Sequence, residues 1–499
     1  MDTRELTRAR ERGEIARLPG LVPTPLGLLT ILGQLESAGH DCLIAGGAVR
    51  DALLGIPPAD FDVEVYGMTY EQVTEFLGRH GRVDLVGKSF GVVKFSDRVG
   101  NNWDFSVPRR DSKIGLGHRD FRSAFDPGIT PREAASRRDF TINAMAYDPV
   151  REEIHDYFGG RADLAAHVLR ATSAAFSEDP LRVLRGMQFA CRFDLSVDAG
   201  TAAMCRSIAD QYGTLPKERV CDEFMKWAIK ASRPGRILEY LTETGWLAHF
   251  PLLGRIQNVP QDPEWHPEGD VGIHTMHVVN AAAKIAERER LSEGDRAVLL
   301  FSALTHDLGK ADTTELREKD GRLRWTAHGH QKSGGPLART FLESIGIKAE
   351  IVDRMVPLVE NHLAHMAFSD STIHARAIRR LAARLVPANI TQLVWLIEAD
   401  YSGRPPLPAG LPEEAARMRD FAENQQVEAA PQPALILGRH VMPYFGGKPG
   451  PHIGEVTKAA YEAQLDGAFS TEEEALQWLA EYMASREGGL STSPHPSVP

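Results

Sequence analysis

The stretch Ala45-Gly46-Gly47-Ala48-Val49-Arg50-Asp51-Ala52-Leu53-Leu54-Gly55, followed by Asp60-Phe61-Asp62-Val63-Glu64-Val65, constrains this chain more than any other. The apolar run 41–45 reads as a strand ending in a glycine pair, and glycine lets a backbone approach a ligand without Cβ interference. A short helix starting near Ala48 would turn its free N–H groups back on that turn, where an anion is stabilised. The second strand carries Asp60 and Asp62, and residues two apart on a strand share a face. Two neighbouring carboxylates repel unless a cation holds them, and Mg²⁺ is the usual partner beside phosphates. One short unit therefore offers a triphosphate cradle and an anchor for two metal ions.

Around this unit, helical spacing over 23–39 predicts a helix packed on the first strand. An amphipathic helix is expected over 69–80, then strands at 83–86 and 92–95 around Gly87-Lys88-Ser89-Phe90-Gly91. A further strand at 101–107 carries Asp104, a candidate third carboxylate. Over 109–138 the periodicity dissolves and arginine and lysine outnumber acids, which predicts a mobile basic loop. Arg137 and Arg138 then open a predicted helix, where cations are disfavoured, so phosphate is a reason for them. Asp139 and Asn143, four apart on that helix, could read a ribose hydroxyl. The next helix is expected to start at Ser177 as cap, with Glu178, Asp179 and Pro180 in its first turn. That start would place Asp179, Arg182 and Arg185 on one face. Another helix is expected over 217–226.

A different chemistry begins after 264–270. His274, the adjacent pair His306-Asp307 and Asp400 fall in one helical region with His328, His330, His362 and His365. His274, His306, Asp307 and Asp400 can converge on one divalent ion, since imidazole and carboxylate suit Mg²⁺, Mn²⁺ or Ni²⁺. A linker with one charged helix is expected over 402–433, helices over 435–483, and a disordered Ser/Pro-rich tail from 488. At 499 residues the chain exceeds one core, so three or four domains are expected. A net charge of −11 excludes a broadly basic surface but not a local nucleic-acid site. The four cysteines show no Cys-x-x-Cys pairing, which suits a reduced cytoplasmic setting. The N-terminus mixes both charges without an apolar core, so no signal peptide is expected, and no apolar run reaches the ~18 residues of a membrane span.

Taken in order, the motifs 46–62, 137–144, 178–185 and the His306-Asp307 set closely resemble those of bacterial tRNA nucleotidyltransferases. These are the CCA-adding enzymes, of a class shared with bacterial poly(A) polymerases, and the resemblance covers 41–484. It implies an α+β fold: a polymerase-β-type nucleotidyltransferase head (mixed sheet with helices) followed by an all-α neck, body, HD domain and tail. The expected divisions are a catalytic head at 1–170, a neck and body for nucleotide selection and tRNA binding at 171–262, an HD phosphohydrolase-type domain at 263–405 and a helical tail at 406–499. The family's Mg²⁺-holding aspartates match Asp60 and Asp62, and its nucleotide contacts match Gly47, Arg50, Arg138, Arg182 and Arg185. Gly46, Arg137, Asp139, Asn143 and Asp179 join that nucleotide set.

The implied function is template-independent addition of CCA to the 3′ end of tRNA from CTP and ATP, with tRNA and the two nucleotides as partners and no stable protein partner. The HD domain would hydrolyse a 2′,3′-cyclic or terminal phosphate. Alternatives are a poly(A) polymerase, a CC-only or A-only enzyme, and an alarmone-type phosphohydrolase. Poly(A) polymerases usually carry an arginine-rich turn where this chain has 87–91, and in alarmone enzymes the HD domain comes first. For base choice, the Asp179 carboxylate can accept from the amino group of cytosine or adenine while the Arg182 guanidinium donates to the adjacent ring nitrogen. Uracil and guanine reverse that order, and two opposed groups could discriminate by about a thousandfold.

Overall fold

The computed structural model describes residues 3–84, 91–113, 121–319, 321–368 and 375–488. The expected turn at 87–91, except Gly91, and the expected tail beyond 488 lie outside the described residues. The chain divides into two compact units, Met1–Gln257 with Phe341–Ile347, and Asn258–Thr340 with Lys348–Pro499.

The first unit opens with α1 (Thr3–Glu11), β1 (Ile15–Arg17), α2 (Leu26–Ser37), β2 (Cys42–Ala45), α3 (Gly47–Leu53), β3 (Asp62–Val65) and α4 (Tyr70–Gly78). Strands β4 (Gly81–Asp84), β5 (Val92–Asp97), β6 (Asn102–Ser106), β7 (Arg109–Lys113) and β8 (Phe121–Phe125) follow, then α5 (Pro131–Ser136), β9 (Ala146–Asp148) and β10 (Glu153–His155). Eight strands form one mixed sheet in the order β1-β10-β9-β2-β3-β6-β5-β4, in which only β3 and β6 run parallel. The two-residue period of β3 buries Val63 and Val65 and sends Asp62 and Glu64 to the opposite face. On α2, the 3- and 4-residue spacing of Leu28, Ile31, Leu32 and Leu35 buries one stripe, and the helix packs against β2. A helical run completes the unit: α6 (Gly160–Ala165), the short parallel pair β11 (Val168–Leu169) and β12 (Ser196–Val197) around α7 (Leu181–Phe193), then α8 (Ala199–Ser207), α9 (Lys217–Lys230), α10 (Arg236–Glu243) and α11 (Pro251–Gly254).

Four expectations need correction. The segment 109–138 is not a structureless loop, because β7 and β8 pair antiparallel and α5 follows. Thr130 and Glu133 form a capping box on α5 with Pro131 at its start, so Arg137 is the C-cap of that helix, where a cation is favoured. Only a 3₁₀ turn, Thr141–Asn143, follows, so Arg137 and Arg138 open no α-helix. Ser177 and Glu178 belong to another 3₁₀ segment, Ala174–Glu178, and α7 starts at Leu181, so Asp179 does not share its face with Arg182 and Arg185. Asp60 lies just ahead of β3 rather than within it, although the Phe61 carbonyl still accepts from the Asp104 N–H at 3.3 Å.

The second unit holds α12 (Val271–Arg288), α13 (Glu293–Thr305), α14 (Lys310–Thr313), the hairpin β13 (Glu315–Lys319) and β14 (Arg322–Thr326), α15 (His330–Ser344, whose last residues belong to the first unit) and α16 (Ala349–Asn361). It continues with α17 (Ala375–Leu385), α18 (Ile390–Ser402), α19 (Glu413–Asn424), α20 (Gly438–Val441), α21 (Pro451–Asp466) and α22 (Glu472–Gly488). Every residue of α13 from Ala297 to Thr305 is buried, as expected of a helix apolar on all sides. Helices α12, α16 and α18 pack around it. No helix among the described residues is long and apolar enough to cross a membrane.

Candidate functional site

In the first unit the glycine turn is built for close approach. Gly46 adopts φ +75°, and a Cβ there would lie 2.5 Å from Arg138 Nη1. Only glycine meets both demands without strain. Gly47 opens α3. Asp62 on β3 stands directly opposite Asp104 on β6 in parallel register, and Lys94 on β5 faces Asp104 from the other side. Asp62 reaches solvent, yet the protein atoms crowding its carboxyl push its pKa up. Arg138 opposes that rise, while Asp104, Asp60 and Glu64 add to it by like-charge repulsion. Neighbouring carboxylates of this kind are a chemically suitable donor set for a divalent cation. Among the described residues, though, the sets of three ligand atoms already within 4.8 Å of one another lie in the second unit.

Two polar chains join the remaining predicted residues. In the first, the buried Arg50 donates through Nη1 to Asn143 Oδ1 at 2.5 Å, and Asn143 Nδ2 donates to Asp139 Oδ1 at 3.0 Å. Asp139 Oδ2 then accepts from Arg185 Nε at 2.7 Å. Burial would raise the Asp139 pKa, but Arg185 and Asn143 outweigh it and hold the group below its usual value. Arg50 also pairs with Asp51 at 2.6 Å and stacks over Phe189 and Phe193, with centroids 5.3 and 4.5 Å away. In the second chain, Arg137 Nη2 donates to Glu178 Oε2 at 2.7 Å, and Arg182 donates to the carbonyls of Arg137 at 2.7 Å and Ala175 at 2.9 Å. Asp179 Oδ1 accepts from the Leu181 N–H at 3.0 Å, so this carboxylate caps the start of α7. Arg138 is held by Glu64 at 2.7 Å. Glu64, Phe189 and Phe193 were not singled out from the sequence, because each acts across a long chain separation; Asp51, next to Arg50 in the chain, was given no role of its own.

The second unit gathers the four predicted ligands. His274 sits in the first turn of α12, which Asp270 caps, and His306 and Asp307 follow α13 directly. Asp400 comes from α18. His274 Nε2 lies 3.0 Å from Asp400 Oδ1, and His306 Nε2 lies 3.2 Å from Asp307 Oδ2 and 3.8 Å from Asp400 Oδ1. Among the described residues, the buried His306 Nε2 and both oxygens of Asp307 have no hydrogen-bond partner, although Lys310 Nζ lies 2.7 Å from Asp307 Oδ2 as an ion pair. Orphaned buried donor atoms of this kind suit a cation.

The sequence reading left two residues of this centre, His330 and His362, out of the ligand set. Asp307 Oδ1 lies 3.3 Å from His330 Nε2 and 4.0 Å from His362 Nε2, and these three form a second ligand set beside His274, His306 and Asp400. Burial drives the His362 pKa down to about 3, so its imidazole is neutral and able to ligate. His274 Nδ1 lies 2.7 Å from Glu268 Oε1. Burial disfavours the charged His274, but the hydrogen bonds it donates to Asp400 and Glu268 prevail and raise its pKa to about 9. Glu268 thus aims His274 Nε2 at the centre, as carboxylates behind metal-binding histidines do. Gly309 lets α15 approach, since a Cβ there would lie 2.1 Å from the His330 carbonyl oxygen.

Residues 42–170 match the family of the Poly A polymerase head domain, and 271–393 match the HD domain. The chain is 36% identical over 437 residues to the multifunctional CCA protein of Xanthomonas campestris pv. campestris (strain B100), covering 86% of this chain and 98% of the relative. It is 34% identical over 385 residues to the multifunctional CCA protein of Burkholderia pseudomallei (strain K96243), covering 75% and 88%. Among solved structures, the fold is similar to that of the Bacillus stearothermophilus CCA-adding enzyme in complex with CTP, with a TM-score of 0.62 and 20% identity over 93% of this chain and all of that one. It is also similar to the Thermotoga maritima CCA-adding enzyme complexed with tRNA, with a TM-score of 0.56 and 17% identity over 94% and 99%.

Proposed function

The chain belongs to the family of the multifunctional CCA proteins, and from that membership we propose that its two clusters run separate reactions: nucleotidyl transfer at Asp60, Asp62 and Asp104, and phosphoester hydrolysis at the histidine centre. The protein adds C, C and A to the 3′ end of tRNA, drawing on CTP and ATP and releasing pyrophosphate. The observation that carries the first assignment is the side-by-side register of Asp62 and Asp104, a like-charge pair suited to bound cations. The terminal tRNA hydroxyl attacks the α-phosphorus in line and pyrophosphate leaves. Asp60, Asp62 and Asp104 would hold two Mg²⁺ ions, whose chemistry is to lower the hydroxyl pKa and neutralise the triphosphate.

Gly46 and Gly47 bring the backbone to the phosphates, and Arg137 and Arg138 supply cations beside it. The chain from Arg50 through Asn143 and Asp139 to Arg185 fixes the ribose and base side of the cradle. Asp179 and Arg182 choose the base, each exchanging a backbone partner for the base edge. In this reading 1–170 is the catalytic head, 171–262 selects nucleotides and binds tRNA, 263–405 hydrolyses and 406–499 forms the tail. The four free cysteines and the tRNA substrate suit the cytoplasm.

In the second unit, His274, His306 and Asp400 would hold one divalent ion and His330 and His362 a second, with Asp307 between them. Such ions supply a water of lowered pKa and polarise a phosphoester. Two variants test the division. Asp62→Ala should abolish incorporation of CTP and ATP into truncated tRNA while tRNA still binds. His306→Ala should abolish phosphoester hydrolysis and leave CCA addition near normal. Joint loss of both activities in either folded variant would refute separate sites.

A further inference from the structure

The half of the large sheet beyond β3 has one apolar and one polar face. Val93, Phe95, Trp103 and Phe105 are buried on the first. The two-residue period of β5 and β6 therefore sends Lys94, Ser96, Asn102 and Asp104 to the second. Cross-strand pairing sets the charged groups of that face in a row. Ile44 on β2 pairs with Val63, which brings Ala45 and the glycine turn level with Asp62. Asp62 stands opposite Asp104, Asp104 opposite Lys94, and Lys94 opposite Asp84 on β4, the last strand of the sheet order. Directly opposite residues share a face, so the order across the sheet is glycine turn, Asp62, Asp104, Lys94, Asp84. The neighbouring row, Asn102, Ser96 and Arg82, is polar as well. Lys94, Arg82 and Asn102 are exposed.

In-line transfer gives this row a direction. The attacking hydroxyl and the leaving pyrophosphate lie on opposite sides of the α-phosphorus. With the triphosphate in the glycine turn, on the β2 side of the carboxylates, the RNA end must come over β6 and β5. Neighbouring strands lie about 4.8 Å apart, which puts the Lys94 backbone about 10 Å from that of Asp62. A lysine ammonium on its flexible four-carbon stem can then meet the phosphate just behind the attacking hydroxyl. The chain carries a net charge of −11, so an RNA backbone approaching a carboxylate cluster needs a local cation. Lys94 is the cation that the register places next to that cluster on the entry side.

We propose that Lys94 anchors the last phosphodiester of the growing RNA 3′ end and so holds the terminal hydroxyl over Asp62 and Asp104. The proposal rests on nucleotidyl transfer at Asp60, Asp62 and Asp104, and adds the side from which the RNA enters. Lys94 meets a backbone phosphate and no base, so it serves the addition of C and of A alike.

The test compares full-length protein with Lys94→Ala and Lys94→Arg on an acceptor minihelix of tRNA that lacks only its terminal A. The minihelix is made with an ordinary last phosphodiester or with a neutral methylphosphonate in its place, and ATP incorporation is followed at low salt. On the ordinary RNA, Lys94→Ala should raise KM for the RNA about tenfold and leave KM for ATP at the wild-type value. Its slope of log KM against log salt should be shallower by about 0.7, the share of one single-strand phosphate. Lys94→Arg should keep most of the affinity. The methylphosphonate should raise the wild-type KM by a similar factor and impose no further loss on Lys94→Ala, because both changes remove the same contact. Losses that multiply would overturn the anchor. So would an unchanged KM for RNA in a Lys94→Ala protein that melts below wild type, since Lys94 would then only neutralise Asp104 and Asp84. The underlying site assignment fails separately, if Asp62→Ala incorporates ATP at the wild-type rate.

Discussion

Replacing Asp104 by Asn separates folding from chemistry in the head. Asp104 and Asp62 are register partners on neighbouring parallel strands, and such strands run about 4.8 Å apart. The Asp62 side chain reaches solvent, so the effective dielectric lies near that of water and the repulsion is about 0.9 kcal/mol. Lys94, opposite Asp104 on β5, offsets part of it. The raised Asp62 carboxyl binds its proton more tightly in the fold than in the unfolded chain. Its contribution is therefore unfavourable above the carboxylate range and disappears as pH falls below it. At neutral pH in EDTA, Asp104→Asn should raise the melting temperature by about 2 °C, the shift expected from up to 1 kcal/mol in a unit of this size. Added Mg²⁺ should stabilise the variant less than the wild type. Incorporation of labelled CTP into truncated tRNA should fall about a hundredfold or more. A variant that melts below wild type in EDTA yet incorporates CTP at the wild-type rate would refute the assignment of Asp104 and the repulsion argument together.

Gly46→Ala must hold φ +75° and displace Arg138, so it should destabilise the protein by about 1–3 kcal/mol and raise KM for both nucleotides, read from urea midpoints and steady-state kinetics. Asp139 is held below its usual pKa, so its contribution is present above the unfolded carboxylate value of about 3.9 and is lost as pH falls through the folded one. Urea midpoints of Asp139→Asn between pH 3 and 5 should accordingly fall less steeply with acid than those of the wild type. Glu268→Gln should weaken Mn²⁺ binding at the histidine centre by about 10–100-fold, measured by calorimetry, while CCA addition is unchanged.

What could be read from the sequence depended on how far apart the cooperating residues lie. The glycine turn and the His306-Asp307 pair are each contained within a few residues, and the structure has a positive-φ glycine ahead of α3 and an adjacent His-Asp pair at the end of α13. His330 and His362 were visible as histidines. Their place at the centre comes from α15 and α16 reaching the buried C-terminal end of α13, and no spacing rule contains that. The misread start of the Arg137-Arg138 segment is different, because a signal was present. Thr130-Pro131-Arg132-Glu133 spells a capping box with proline at the first helical position, which would have ended α5 at the arginines.

Asp179 and Arg182 mark the limit of reasoning from spacing. Three residues apart suggests one helix face, but Pro180 intervenes and the helix begins after it, so the two side chains leave the backbone in different settings. One Asp179 oxygen caps α7, and Arg182 reaches back to carbonyls in two earlier segments, at Ala175 and Arg137. Those carbonyl bonds, with the Arg137–Glu178 pair, tie the 3₁₀ segment before α7 to the C-terminal end of α5. A base entering here would compete with backbone groups of ordinary hydrogen-bond strength, about 1 kcal/mol net each. Cytosine or adenine can replace both the donor and the acceptor that are lost, whereas uracil or guanine replaces neither and leaves buried groups opposed. In the proposed reading, the same bonds that hide the pair from a helix-face rule would set the threshold a base must exceed to bind.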